Sequence, residues 1–310
     1  MKWFGYVGKY ARINLSTKSV VVEDLKPEFA KKYIGGAGFG ARILWDELKG
    51  GEDPFSPENK LIVSTGPFTG TLIPGSGNIF YQFKSPLTGG WGETRSGGKF
   101  GSMLKYAGFD FLIIEGRAEE PVYLLVMDGK IEIKSAKHVW GKTVHEATDI
   151  LLEELGIPEA SIVCIGPAGE KLVRFAAIMN DYDRAAGRCG GGAVMGSKNL
   201  KAIVAFGEKG IEVADYEEFM EAVHEISDAM VKKYVFMELL GKLGTIGLVN
   251  ALNAAGALPT MNFKTTYFPY ADELSGERLA ERNLIKRRAC HSCIVACGRY
   301  SWVPNGKYVT

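Results

Sequence analysis

Several features that would place this chain in a function class are missing. No apolar run approaches the ~20 residues that a membrane span requires. The charges nearly cancel, 37 Lys and Arg against 36 Asp and Glu for a net +1. No basic or acidic surplus therefore points to nucleic acid or a membrane surface as partner. No G-x4-G-K-[ST] phosphate loop is present, so a nucleoside triphosphatase is not supported. The N-terminus lacks a charged-then-apolar leader, which makes the cytoplasm the expected location. With no leader and an odd count of 5 cysteines, a disulfide framework is not expected.

Glycine is what the chain has in excess: 39 of 310 residues, against the roughly 7% usual in globular proteins. The glycines gather at 35–40, 66–77, 89–101 and 187–196. That clustering suggests backbone approaching another group closely at several places. The length permits a sizeable core and two domains.

The stretch with the clearest chemistry is Cys290-His291-Ser292-Cys293-Ile294-Val295-Ala296-Cys297. A C-x2-C-x3-C run on a turn leading into a helix would aim three thiolates into one pocket. Thiolates are soft ligands that suit iron–sulfur clusters or zinc. A cubane cluster needs a fourth ligand, and no cysteine follows Cys297. Zinc with His291 as fourth ligand is the competing reading, made awkward because His291 directly follows Cys290. Incidental buried thiols are the third.

Along the chain, Val7–Asn14 and Ser19–Glu23 flank the turn Ser16-Thr17-Lys18 and predict a hairpin. A helix over 27–33 starts on Pro27, and another opens at Gly35-Gly36-Ala37-Gly38. Strands are expected at Leu61–Thr65, Asn78–Lys84 and Phe111–Glu115, with Glu93–Ala107 becoming helical. The series then begins again. Val122–Val126 and Lys130–Ile133 form a second hairpin around Asp128-Gly129, and a helix follows at 143–154. Ser161–Pro167 echoes Leu61–Pro67, Arg188-Cys189-Gly190-Gly191 echoes Arg95-Ser96-Gly97-Gly98, and Ala202–Gly207 echoes Phe111–Gly116. The order is kept, which indicates an internal duplication. Two such halves would set two Arg-Gly-rich loops opposite each other, a surface suited to an anionic ligand of roughly twofold shape.

The expected architecture is α+β: a β-rich two-layer N-terminal domain over 1–208 with an internal pseudo-twofold, then the start of an α-helical domain over 209–310. In the latter, Phe219, Met220, Val223, Ile226 and Met230 recur at helical spacing over 215–232, behind Asp215 as a cap. Another helix is predicted over 244–255 before Gly256. The helical part carries the cysteines. Cys164 and Cys189 are read as packing thiols, and Arg282, Lys286, Arg287 and Arg288 as a solvated face.

Four loops are candidates for binding anions through backbone N–H groups or guanidinium forks. They are Gly66–Thr71, Pro74–Asn78, Arg95–Gly98 at a predicted helix start, and Arg184–Arg188.

Together these stretches resemble one family, the tungsten- or molybdenum-containing aldehyde ferredoxin oxidoreductases. The matching motifs run along nearly the whole chain: Ser56–Leu61, Gly66–Thr71, Lys84–Gly89, Ser96–Gly98, Ala176–Asp181, Arg184–Arg188, Gly192–Lys201 and the three cysteines. The resemblance implies tungsten (or molybdenum) between two pterins whose phosphates are bridged by Mg2+. Its implied pterin contacts are Asn78, Arg95, Gly97, Arg184, Ala185 and Gly187. Cys290, Cys293 and Cys297 would ligate a [4Fe–4S] cluster. Asn78 and Arg95 appear exchanged relative to the aldehyde enzymes, and Ala37 stands where those often have Arg. The resemblance covers roughly the first half of such a protein. The fourth cysteine and the catalytic Glu and His are expected beyond residue 310, so no catalytic residue is assigned here.

The implied reaction oxidises an aldehyde to a carboxylate and passes electrons through the cluster to ferredoxin or another low-potential carrier. A homodimer or an accessory iron–sulfur subunit is compatible with it; nucleic acid and membrane are not expected as partners. Two alternatives stay open: a related tungsten subunit that reduces an aromatic acyl-CoA, and a non-catalytic cofactor or electron-transfer module.

Overall fold

The computed structural model describes residues 3–304. The chain separates into two compact units, Met1–Leu72 with Ser76–Asp215, and Ile73–Gly75 with Tyr216–Thr310.

In the first unit β1 (Lys9–Asn14) and β2 (Ser19–Asp24) form the expected hairpin. Asn14 closes its turn by accepting from the Ser16 and Thr17 amides at 3.0 and 3.2 Å, an Asx turn. Next come α1 (Pro27–Tyr33), with proline in its first turn, and α2 (Ala37–Glu47). Then follow β3 (Leu61–Ser64), β4 (Ile79–Lys84), β5 (Trp91–Ser96), α3 (Phe100–Tyr106) and β6 (Phe111–Glu115). The second series is β7 (Val122–Met127), β8 (Lys130–Ser135), α4 (Val144–Leu155), β9 (Ser161–Cys164) and the single turn α5 (Pro167–Glu170). It closes with β10 (Ile178–Asn180), β11 (Arg184–Ala186), α6 (Gly191–Ser197) and β12 (Leu200–Phe206). A capping box between Thr143 and Glu146 starts α4, and left-handed Gly156 ends it, as helix-terminal hydrogen bonding favours.

The duplication is borne out strand by strand. One sheet runs β2-β1-β6-β3-β4-β5 and the other β8-β7-β12-β9-β10-β11. Val63 faces Tyr81 and Leu112, and Val163 faces Asn180 and Ile203. Leu112 lies beside Ala11, which faces Val22; Ile203 lies beside Leu124, which faces Ile133. The inner faces of both sheets share one core, with Val63, Tyr81, Leu104 and Leu112 from the first half and Val163, Ile178, Val194 and Ile203 from the second. Each half's inner helix reaches the other sheet: α3 packs on β9 and β12, and α6 on β3 and β4 as well as on its own β12. Outside, α2 covers Ile62 with Phe39 and Ile43, and α4 covers Ile162 with Ala147 and Leu151. The central strands β3 and β9 are buried at every residue, as expected for strands covered on both faces.

Three expectations need correction. Residues 91–96 form an edge strand rather than the start of a helix; Trp91, Glu93 and Arg95 point one way while Gly92, Thr94 and Ser96 are buried. That alternation is the period of a strand. Arg95 is therefore a strand residue, and the following helix has 7 residues. The echo of Arg95 by Arg188 also fails on register: Ile79 faces Ser96 and Ile178 faces Ala186, so Arg95 corresponds to Ala185.

The second unit contains α7 (Tyr216–Lys233), α8 (Val235–Leu243), α9 (Leu248–Ala254), α10 (Gly276–Arg282) and a hairpin of β13 (Leu284–Arg288) and β14 (Gly298–Ser301). The helix predicted over 244–255 begins as a 3-10 turn, Thr245–Gly247, and becomes α only from Leu248. On α7 Val223 is buried and Ile226 is 40% exposed, so the apolar stripe is covered only in part. The third correction concerns the cysteines: residues 289–297 connect β13 to β14 without forming a helix. Ser292 and Ala296 have positive φ, 50° and 49°, which breaks any helical run.

Candidate functional site

Six predicted cofactor contacts lie in the first unit, and the pseudo-twofold sorts four of them into pairs. Arg95 on β5 and Ala185 on β11 occupy equivalent register positions, each on an edge strand and each exposed. One residue beyond the two strand ends stand Gly97 and Gly187. Edge strands β5 and β11 lie against each other, so both pairs belong to one surface. Arg184 opens β11, half-buried, with its Nε 3.7 Å from Asp183 Oδ1. Asn78 is half-buried just ahead of β4, and its carbonyl accepts from Thr69 Oγ1 at 3.4 Å.

Each half's glycine turn is anchored by side chains of the other half. In the first, Asn180 Nδ2 donates to the Gly97 carbonyl at 2.6 Å, and the Lys99 amide donates to Asp181 Oδ2 at 2.7 Å. The other carboxylate oxygen of Asp181 accepts from Ser161. Gly98 sits at φ +109°, where an added Cβ would lie 2.8 Å from Asn180 Nδ2, so only glycine fits. In the second, Ser85 Oγ donates to the Cys189 carbonyl at 2.7 Å, and the Arg188 amide donates to Thr94 Oγ1 at 3.1 Å. Asn180 and Asp181 stood inside a matching motif without an assigned role, and Ser85 and Thr94 likewise had none. Only strand pairing reveals what they reach.

Cys189 is half-buried against the shared core, and Cys164 is fully buried, where burial pushes its thiol up. Both are packing residues, as expected. The unit also has an apolar cleft of about 630 Å3 lined by Trp45, Leu48, Phe83 and Trp91. None of the predicted contacts lines it.

In the second unit the three cysteines are half-buried thiols in one loop. The Cys293 amide donates to the Cys290 carbonyl at 3.1 Å, folding the first arm into a turn, and the Gly75 amide donates to the Ser292 carbonyl at 3.4 Å. Arg299 ties the third arm to the C-terminal end of α8. Its Nη atoms donate to the carbonyls of Ala296 and Gly298 at 3.0 and 2.8 Å and of Leu240 and Gly241 at 2.8 Å each. Among the described residues no group of three or more Cys, His, Asp or Glu side chains converges on one metal ion.

Comparison with known proteins accords with this division. Residues 10–207 match the family model for the aldehyde ferredoxin oxidoreductase N-terminal domain, and residues 221–310 match that for domains 2 and 3. The chain belongs to the aldehyde ferredoxin oxidoreductase family. It is 50% identical over 302 residues to a tungsten-containing aldehyde ferredoxin oxidoreductase of Pyrococcus abyssi, covering 97% of this chain and 50% of that protein. An aliphatic sulfonate oxidoreductase, WOR-like subunit, of Pyrococcus furiosus is 35% identical over 98% of this chain and 51% of its own length. Among solved structures, the active-site complex BamBC of benzoyl coenzyme A reductase superposes with a TM-score of 0.86 at 30% identity, over 97% of this chain and 48% of that one. The chain thus spans about half the length of the relatives it matches.

Proposed function

We propose that the full-length protein is a tungsten-dependent oxidoreductase that converts aldehydes to carboxylates and delivers the electrons through a [4Fe–4S] cluster to ferredoxin. The observation that carries this reading is the register equivalence of Arg95 with Ala185 and of Gly97 with Gly187. Two edge strands lying against each other in equivalent register would suit a metal held by two pterins. Asn78, Arg95, Gly97, Arg184, Ala185 and Gly187 would hold the pterins, with Mg2+ as a further cofactor. Cys290, Cys293 and Cys297 would hold three corners of the cluster. When bound, the tungsten centre supplies the two-electron chemistry and the cluster passes electrons on singly. This chain would contribute seating and orientation.

Reduction of an aromatic acyl-CoA is the second reading, favoured by the superposition on benzoyl coenzyme A reductase. Identity of 50% to an aldehyde enzyme, against 30% to that reductase, supports aldehydes as the first reading. Full-length protein purified without oxygen should contain tungsten and reduce a viologen dye when given an aldehyde. Turnover by a preparation free of tungsten and molybdenum would refute the mechanism. Turnover with an aromatic acyl-CoA but no aldehyde would select the second reading.

A further inference from the structure

The two glycine turns are not built by their own repeats. The Gly97 carbonyl and Lys99 amide are gripped by Asn180 and Asp181, and the Cys189 carbonyl and Arg188 amide by Ser85 and Thr94. The exchange runs in both directions, but neither the gripped groups nor the gripping residues are register equivalents: Gly97 and Lys99 correspond to Gly187 and Cys189, whereas the second turn is held at the Arg188 amide and the Cys189 carbonyl. By register Asn180 corresponds to Tyr81 and Thr94 to Arg184. Two unrelated sets of side chains thus each hold the opposite half's turn, at different backbone positions.

Three of these four residues are nearly or fully withdrawn from solvent. Asn180 and Ser85 are 0% exposed and Thr94 is 4% exposed, while Asp181 is half-buried. A buried polar side chain costs stability unless its hydrogen bonds are made. Here each bond ends on a backbone group beside a predicted cofactor contact: Gly97 itself, Lys99 two residues on, Arg188 next to Gly187, and Cys189.

We infer that Asn180 and Asp181 on one repeat, and Ser85 and Thr94 on the other, are positioning residues that set the two glycine turns for the cofactor, so that each cradle is completed by the opposite half. None of them touches reacting atoms; they act through the turn backbone. The inference rests on the tungsten–pterin reading of this surface. It makes cofactor retention, rather than folding or the iron–sulfur cluster, the property most sensitive to these side chains.

The test uses full-length protein expressed and purified anaerobically, with tungsten and iron measured per polypeptide, released pterin by fluorescence after oxidation, and the melting temperature on the same samples. Asp181→Ala removes both acceptors. Asp181→Asn can still accept from the Lys99 amide through Oδ1 while donating to Ser161, so it is the conservative rescue. Asn180→Asp replaces a donor with a carboxylate facing the Gly97 carbonyl. Thr94→Val keeps the shape at the opposite turn and strands the Arg188 amide. Retained tungsten and pterin should fall on the order of tenfold in Asp181→Ala, Asn180→Asp and Thr94→Val, the loss typical when an outer-shell partner is removed. Iron should be unchanged, and Asp181→Asn should be close to wild type.

Wild-type loading in all variants overturns the inference. So does a parallel fall of tungsten, iron and melting temperature, which is the signature of a merely structural role. Wild-type protein that holds neither tungsten nor pterin overturns the reading of the site itself, and this inference with it. A loaded wild type with equally loaded variants overturns the brace alone.

Discussion

Lys201 Nζ lies 2.5 Å from Glu170 Oε1, with the lysine side chain fully enclosed and the glutamate 6% exposed. The lysine also donates to the Lys142 carbonyl at 2.9 Å, and both glutamate oxygens accept from the Gly141 amide at 3.0 and 2.9 Å. It pins β12 and α5 to the turn that precedes α4. Removing one partner strands a buried charge, so Lys201→Met or Glu170→Leu alone should cost about 3–5 kcal/mol. The double substitution should recover much of that, because two apolar groups need no solvation. Chemical denaturation of the three variants, read at the first unfolding transition, checks this. Equal loss in the double variant and the singles would show that packing dominates the site.

A second cluster predicts a pH dependence. Arg12 pairs with Glu47 at 2.6 Å and with Glu115 at 3.3 Å, and Lys60 reaches Glu115 at 2.8 Å and Glu47 at 3.2 Å. Burial pushes both carboxyl groups up, but hydrogen bonds and charge from Arg12 and Lys60 outweigh it and hold them below their ordinary value of 4.5. A carboxylate whose folded pKa is depressed stabilises the fold fully above the unfolded value and loses that contribution as pH falls through the folded value. Stability should therefore decline as pH drops from about 5 toward 3, and Glu47→Gln should flatten the decline. Denaturation midpoints across that range for wild type and variant measure it.

Arg95 and Ala185 are exposed at equivalent places on the two edge strands, so substitution there should separate binding from folding. Arg95→Gln and Ala185→Arg should each change stability by no more than about 0.5 kcal/mol. Both should lower tungsten content, the first by removing a cation and the second by filling space over the strand. Tungsten analysis beside a melting curve distinguishes the two effects. Unchanged loading in both variants would mean that the cofactor lies elsewhere.

Serine in place of Cys290, Cys293 or Cys297 removes a soft thiolate from the loop. Each variant of the full-length protein should lose or convert the reduced-cluster signal in electron paramagnetic resonance and lower the iron content. Cys164→Ser and Cys189→Ser should keep both, since those thiols pack against the core. A signal that survives in all three loop variants would remove the cluster from this loop.

Hairpin turns, buried apolar strands and ordered echoes were enough to point to a duplicated α+β base, while the family and the residues expected to meet the cofactor came from the resemblance of its motifs. They suffice because hairpin turns, buried apolar strands and cysteine spacing are local patterns, each readable within a dozen residues. Trp91–Ser96 was misread because an edge strand with one exposed face and a glycine inside carries a weak signal beside the helix that follows it. The correspondence of Arg95 with Ala185 rather than Arg188 could not be read at all. Register is set by hydrogen bonds between strands far apart in sequence, and a slip of one residue leaves the local pattern looking plausible while reversing every side chain.

What the tertiary structure alone decided is which half supports which turn. Asn180 and Gly97 are 83 residues apart, and nothing in either segment signals the other. Their contact exists because two six-stranded sheets share a core around a pseudo-twofold, and burial of that common apolar face brings the edge strands together.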